Sequence, residues 1–561
     1  MREDWESAKI NDLLTSNDIF CDGDWIEKKD QDPNGKVRLI QLADIGDGFF
    51  RDKSKRFVNT ATANRLNCTF LKQNDIIIAR MPDPIGRATI FPLKGDNKFI
   101  TAVDVAIIRL SSNYILKKYM LFLINSPIIR NKIEALQSGT TRKRISRKNL
   151  AKINFPIPPL PEQRAIIAKI EQLFSELDNG IANLKTAQEQ LKVYRQAVLK
   201  KAFEGDLTKE WRESYSGRGQ GSGEDMEIEE KGKGAKFCAS MELNTSQSIP
   251  KDNVKTQNLA SQPASQPLST GLPTAEDLLT QIKAERETHY QNQLDDWQQA
   301  VNTWEANGKQ GKKPRKPGKL KEFMLILNSV QKNINKLDSW ANVNLENCTS
   351  KIGDGLHGTP NYSDGEYYFI NGNNLKNGRI IFKKSTKKVN QEEYNKYKKT
   401  LNKTTVLVSI NGTLGSTAFF NNEDVILGKS ACYINTLPSI NKYFLRWNFE
   451  TNEFKNYLSQ TATGSTIKNV PLKAIRNYIF PICSPSEQHQ IVQEIESRLS
   501  VCDKVEENIE ESLTKAEALR QSILKKAFEG KLLSESELTA CRQEPDWEPA
   551  EKLLERIRAE K

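Results

Sequence analysis

Lys200-Lys201-Ala202-Phe203-Glu204-Gly205 returns letter for letter as Lys525-Lys526-Ala527-Phe528-Glu529-Gly530. Upstream of it, Phe155-Pro156-Ile157 returns as Phe480-Pro481-Ile482 and Glu162-Gln163 as Glu487-Gln488. Each pair is 325 positions apart (200 and 525, for example), so the two stretches align without a gap. A hexapeptide identity held in register with its flanks marks an internal duplication. The repeat reaches outward with shifts. Ser138-Gly139-Thr140 answers Thr463-Gly464-Ser465, and Trp5-x-x-Ala8-x-Ile10 resembles Trp340-x-x-Val343-x-Leu345. Farther on, the run from Ala275 to Glu285 matches Ala550 to Glu560 at a spacing of 275, so the first copy carries 50 additional linker residues. Each copy therefore reads as a globular unit, a long helix, a linker and a short amphipathic helix.

The first long helix is predicted to begin after Pro158-Pro159-Leu160-Pro161 and to run from Glu162 to Phe203, with Gly205 as its C′ residue. That is about 42 residues, or roughly 63 Å. Ile170, Leu177, Leu184, Leu191 and Val198 form one heptad row; Leu173, Gly180, Ala187 and Tyr194 form the other. In the second helix Ile495, Cys502, Ile509, Ala516 and Ile523 make the first row, with Val505 and Leu519 in the second. One such helix cannot bury its stripe alone. The two copies are natural partners, and the small seam residues leave room for helices of another subunit. The rows are therefore expected to dock subunits through Ile170, Leu177, Leu184, Leu191, Ile495, Ile509 and Ile523.

Around the helices, residues 1–155 and 336–480 read as mixed α/β (α+β) units. Short apolar runs such as Asp75 to Ala79 and Thr405 to Ile410 are separated by Gly, Asn and Asp turns. The helix regions are 156–206 and 481–531. A linker with a charged helical insert occupies 207–335, and a tail with a short amphipathic helix occupies 532–561. Ser214 to Thr270 has the composition of an unstructured segment. Gly311-Lys312-Lys313-Pro314-Arg315-Lys316-Pro317-Gly318-Lys319 reads as a basic, proline-broken connector, either a solvated linker or a segment that touches phosphate.

Several chemistries lack their residues. Gly428-Lys429-Ser430 has Glu423 where a phosphate loop needs a glycine. No Gly-x-Gly-x-x-Gly, Asn-Pro-Pro-aromatic, Gly-x-Ser-x-Gly or His-Glu-x-x-His occurs. Only His289, His357 and His489 are present, and the eight cysteines are scattered without a Cys-x-x-Cys pair. No metal site, and isolated thiols in a reducing cytoplasm, are expected. No apolar run approaches the ~18 residues of a membrane span. The 561 residues carry a net charge of +12, with 83 Lys and Arg against 71 Asp and Glu. The excess clusters at Arg142-Lys143-Arg144 with Arg147, at Lys383-Lys384 with Lys387-Lys388, and at Arg51, Lys53, Lys55 and Arg56. Such clusters suit phosphate contact, so the chain reads as a binder of nucleic acid rather than a catalyst. His357, between glycines, is either a DNA-facing loop residue or a turn-stabilising one.

The architecture resembles the specificity subunit of type I restriction–modification enzymes. The residues that carry the resemblance are Pro161-Glu162-Gln163 leading into a helix that ends in Lys200 to Gly205, duplicated. Asp22-Gly23-Asp24-Trp25-Ile26 and Asp354-Gly355-Leu356-His357-Gly358-Thr359-Pro360 are similar to two varieties of target recognition domain. Ser484-Pro485-Ser486 departs from the usual proline-rich start of the second helix. The resemblance implies a pseudo-two-fold repeat of two target recognition domains joined by two long antiparallel coiled-coil helices. Each domain would read half of an asymmetric bipartite site on double-stranded DNA. The helices would dock two methyltransferase subunits, and the assembly would recruit restriction (translocase–nuclease) subunits. S-adenosylmethionine, ATP and magnesium would bind those partners and not this chain. The competing readings are a coiled-coil scaffold with two interaction domains and an orphan DNA-binding regulator.

Overall fold

Alternating apolar residues and Gly/Asn/Asp turns give short strands to the first globular repeat, called the first reader after its expected role, as the second repeat is the second reader. The computed structural model describes residues 2–81, 84–139, 142–216, 274–323, 337 and 339–561. The strands are β1 (Glu6–Lys9), β2 (Ile19–Asp22), β3 (Val37–Ile40), β4 (Arg56–Val58), β5 (Ile76–Ala79), β6 (Ala88–Ile90), β7 (Phe99–Thr101), β8 (Val105–Arg109) and β9 (Asn154–Ile157). With them come α1 (Thr60–Arg65), α2 (Lys117–Ile124), α3 (Pro127–Ala135) and α4 (Arg147–Leu150), then the long α5 (Leu160–Phe203), α6 (Lys209–Ser216) and α7 (Ala275–Ala306). The second reader contains β10 (Ala341–Asn344), β11 (Thr349–Asp354), β12 (Tyr367–Ile370), β13 (Leu375–Lys376), β14 (Arg379–Ile380), β15 (Lys388–Val389), α8 (Gln391–Tyr397), β16 (Thr405–Ser409), β17 (Thr417–Phe419), β18 (Val425–Leu427) and β19 (Ala431–Thr436). It continues through α9 (Lys442–Phe449), α10 (Asn452–Thr461), α11 (Leu472–Asn477) and β20 (Ile479–Ile482) into α12 (Pro485–Phe528). The tail forms α13 (Glu535–Arg542) and α14 (Ala550–Ala559).

The two readers share one topology. A four-stranded antiparallel sheet has order β2-β8-β5-β6 in the first and β11-β19-β16-β17 in the second. A three-stranded sheet has order β4-β3-β7 and β15-β12-β18, its central strand antiparallel to one neighbour and parallel to the other. A two-stranded base, β1-β9 or β10-β20, closes each fold. The second reader adds the β13-β14 hairpin, whose Asn377-Gly378 turn takes the left-handed backbone that this pair favours.

The chain forms two compact units, and the first is assembled from both ends of the sequence. One unit is residues 1–190 with 505–561; the other is 191–504. In the first, Ile523, Leu524, Ala527 and Phe528 from the end of α12, and Leu553, Leu554 and Ile557 of α14, enter the core of the first reader beside Ile166 and Ile170 of α5. In the second, Val198, Leu199 and Ala202 from the end of α5, and Leu278, Leu279 and Ile282 of α7, enter the core of the second reader beside Ile491 and Ile495. Ion pairs flank the helix contacts within each unit: Asp178 with Arg520, and Arg195 with Asp503 at 2.6 Å. Their numbering descends on one helix as it ascends on the other, so the helices pair antiparallel.

The repeated Glu-Gln pair has a structural meaning. Gln163 Nε2 donates to the carbonyls of Tyr114 (3.3 Å) and Pro158 (3.1 Å), and its Oε1 accepts from Leu116 N (3.0 Å). Gln488 makes the same three bonds to Ser439 (3.2 Å), Cys483 (2.8 Å) and Asn441 N (2.8 Å). Each fully buried amide thus ties the start of a long helix to the loop before the helix that follows the main sheet of its reader. In place of the three prolines that open the first helix, Ser484 Oγ accepts from Glu487 N (3.3 Å) and Pro485 takes the first helical position. Gly205 and Gly530 both adopt φ near +80°, at +82° and +75°, which ends the helices as their positions predict. Ser214 to Thr270 lies almost wholly outside the described residues, as does Cys238. Among the described residues no helix is long and apolar enough to cross a membrane.

Candidate nucleic-acid interface

In the second reader the segment from Lys383 to Lys388 is held from below by a buried amide. Asn374 Nδ2 donates to Ile381 O (2.9 Å) and to Thr386 Oγ1 (3.3 Å), and Thr386 Oγ1 accepts from Lys383 N (2.8 Å). The segment feeds edge strand β15, which pairs with β12 through Tyr368 and Lys388. Lys383, Lys384 and Lys387 are exposed and Lys388 is half-buried. Among the described residues none of the four forms a salt bridge with a carboxylate. Aromatic rings stand between them instead. Lys388 Nζ lies 4.8 Å from the centre of Tyr368, which packs on Phe382 at 4.3 Å, and Lys387 Nζ lies 5.9 Å from Tyr362. Tyr367 stacks on Tyr394 at 4.2 Å, with Lys398 Nζ 5.6 Å from the latter ring. Unpaired ammonium groups between half-exposed rings suit a polyanion that also offers flat faces or sugar edges.

The first reader repeats this edge with other residues. Asp44 replaces Asn374; its carboxylate accepts from Lys53 N and Ser54 N, both at 2.7 Å. Arg51 N donates to Asp44 O just as Ile381 N donates to Asn374 O, each at 2.7 Å. Exposed Arg51, Lys53, Lys55 and Arg56 then lead into β4, the topological equivalent of β15. The sequence shows two unlike basic clusters, and only the shared sheet order puts them in one place.

A loop runs to this edge in each reader from a glycine corner. A Cβ on Gly23 would lie 2.2 Å from Ala102 O, and one on Gly355 would lie 2.1 Å from Leu427 O, so both corners require glycine. Asp24 bridges to Ala102 and Leu356 to Gly428, both in parallel fashion. Trp25 and His357 follow at equivalent positions, and Trp25 is 71% exposed. The loops then reach the edge strand, where Asp32 N donates to Phe57 O (2.8 Å) and Ser363 N to Lys388 O (3.0 Å). His357 Nε2 sits 2.6 Å from Asp354 Oδ2, so it braces its own corner while its ring stays exposed. Burial pushes the Asp24 carboxyl up to about 6 against the bond from Thr69 N–H.

Other expected site residues are placed differently. Arg142, Lys143 and Arg144 are exposed in the loop between α3 and α4, where Arg144 and Ser138 exchange backbone hydrogen bonds. The second reader has Ile467, Lys468 and Asn469 there, so only Lys143 of the three has a basic counterpart. Arg147 is exposed as well, and its guanidinium also bonds Phe20 O (3.1 Å) and Asp22 Oδ2 (3.3 Å) within the reader.

The docking row is corrected. Ile170, Ile495, Ile509 and Ile523 are buried and Leu177, Leu184 and Leu191 half-buried, so this row is the seam within the chain. The apolar residues left in solvent on the long helices are Val193, Tyr194, Val501, Val505 and Leu519.

Against known proteins, the family described as type I restriction modification DNA specificity domain matches residues 2–186 and 340–515, more than half the chain and one match per copy of the repeat. The chain belongs to this family. Among curated family members, it is 26% identical over 210 residues to the type I restriction enzyme EcoBI specificity subunit of Escherichia coli, covering 37% of this chain and 43% of that one. It is 25% identical over 217 residues to the StySPI specificity subunit of Salmonella potsdam, covering 37% and 44%. The chain thus spans less than half the length of these relatives. A solved chain from work on complex assembly and conformational transition of the type I R-M system is 14% identical with a TM-score of 0.54, covering 95% of this chain and 99% of that one, a likeness of fold.

Proposed function

We propose that this chain is the DNA-specificity subunit of a type I restriction–modification complex and is not itself catalytic. Each reader takes one half of an asymmetric bipartite target on double-stranded DNA. The observation that carries this reading is the shared edge: two readers of unlike sequence present unpaired basic residues from the segment that leads into the equivalent edge strand, braced by Asp44 in one and Asn374 in the other. A scaffold without a nucleic-acid role has no use for that coincidence. The exposed Val193, Tyr194, Val501, Val505 and Leu519 support docking of two methyltransferase subunits on the long helices. The restriction subunits join that assembly, and S-adenosylmethionine, ATP and magnesium are bound by the partners.

The test is methylome sequencing of cells with and without the gene, followed by replacement of residues 336–480 with the equivalent unit of a relative. A bipartite motif that depends on the gene is expected, with one half changed by the swap. A motif independent of the gene, or a swap that alters both halves together, overturns the reading.

A further inference from the structure

Beyond the run Ala275 to Glu285, which answers Ala550 to Glu560, the first copy carries an arm the duplication does not explain. Its equivalent in the other copy, α14, is a ten-residue helix, whereas α7 runs for 32 residues. Leu278, Leu279 and Ile282 seat the start of α7 in the core of its unit. From Glu287 onward the helix projects from that core for 20 residues, about 30 Å. A solitary helix of that length is marginal in water, and this one is covered by a strap. After a reversal at Gly308 and Lys309, both with positive φ, the chain returns along the helix to Phe323. Trp304 Nε1 donates to Gly311 O (3.3 Å), Trp297 Nε1 to Pro314 O (3.2 Å) and Arg286 Nη2 to Lys321 O (3.0 Å). Lys313 lies 5.9 Å from the Trp304 ring and Lys316 lies 5.3 Å from Trp297. The reading of residues 311–319 as a free connector is corrected: they are laid down on a helix.

The arm separates its charges. The strap, 307–323, holds seven Lys and Arg and one Glu; the helix it covers, 287–306, holds four acids and no Lys or Arg. Neutralisation within the arm would need only short reaches. Yet among the described residues Lys321 alone of the seven pairs with a carboxylate, and that is Glu346, outside the arm. Lys309, Lys312, Lys313, Arg315, Lys316 and Lys319 are exposed. A merely solvated surface mixes signs, whereas here tryptophan contacts hold like charges together along one edge.

We infer that this strap is a second, sequence-independent binding surface for the phosphate backbone of double-stranded DNA, separate from the reading edges. The inference rests on the DNA-specificity reading. Phosphates on one strand recur every ~3.4 Å, so an extended strap meets several of them with no base identity read.

The test uses the full chain co-expressed with its methyltransferase subunits. It also uses two duplexes of equal length, one carrying the methylated motif and one without it. Lys312, Lys313, Arg315 and Lys316 are changed together to Gln. Affinity is expected to fall by the same factor on both duplexes. The slope of log K against log salt should flatten by about 2 to 4, and the methylated motif should stay unchanged. A second variant, Asp295→Asn with Asp296→Asn and Glu305→Gln, should keep the wild-type slope. An unchanged slope in the Gln variant, or a loss confined to the motif duplex, overturns the inference. Loss of subunit co-purification with DNA binding intact also overturns it and assigns the strap to an acidic protein surface. A wild-type complex that does not prefer the motif duplex would instead overturn the specificity reading.

Discussion

Replacing Gln163 or Gln488 with Leu removes a buried amide from one reader at nearly constant volume. In the second reader, Gln488→Leu strips the Ser439 and Cys483 carbonyls and the Asn441 N–H of their partners. A buried polar group left unsatisfied costs about 1–3 kcal/mol. Partial relaxation over three such groups gives a loss of about 3 kcal/mol or more. Since 1.4 kcal/mol is a factor of ten, local opening should rise roughly 100-fold. Hydrogen exchange read by mass spectrometry resolves this by segment. Gln488→Leu should deprotect residues 439–443 and the start of α12, and Gln163→Leu should deprotect residues 114–118 and the start of α5. Each should leave the equivalent segment of the other reader at wild-type protection. A change below threefold would show that the amide is not a tie. Equal deprotection of both readers by one variant would refute the claim that each Gln serves its own reader.

Three further outcomes are expected. Changing Arg51, Lys53 and Lys55 to Gln, or Lys383, Lys384 and Lys387 to Gln, should each flatten the salt slope of DNA binding by about 2 to 3 while the methylated motif persists; a wild-type slope in filter binding removes that edge from the interface. Val505→Asp with Leu519→Asp should abolish methyltransferase co-purification while the chain keeps its helical circular dichroism, whereas Leu177→Asp with Leu184→Asp should lower the melting temperature itself by charging the seam. Asp24, raised from 3.8 to about 6, is neutral in both folded and unfolded chain at low pH; as pH rises the unfolded chain ionises first, so stability is lost up to about pH 6. Asp24→Asn should therefore melt higher than wild type at pH 7, with the gap closing toward pH 4, and a pH-independent gap would contradict this.

The register of the duplication was legible because identical residues do identical structural work. Ala202 and Ala527 are fully buried at the same helix ends, and Gly205 and Gly530 take the same left-handed backbone. The heptad row through Ile495, Cys502, Ile509, Ala516 and Ile523 is buried along its whole length. Periodicity finds a stripe but cannot say what covers it. Val505 and Leu519 continue the heptad and yet face solvent. The shared reading edge was not legible, because Arg51 to Arg56 and Lys383 to Lys388 have no common pattern and only strand order relates them. The strap was hidden because composition does not reveal that Trp297 and Trp304 supply donors to the carbonyls of a proline-rich segment.

The discontinuity of the first unit sets a timetable for synthesis. Residues 1–190 leave the ribosome more than 300 residues before Ile523, Ala527, Phe528 and Leu553, which complete their core. At roughly 5–20 residues per second, the first reader waits about 15–75 s with an apolar face uncovered. The second unit, 191–504, has all its parts before the first has any of its closing segment. The reader translated first is therefore the reader finished last, and a chain broken off after residue 504 would carry one complete unit and one with an open core.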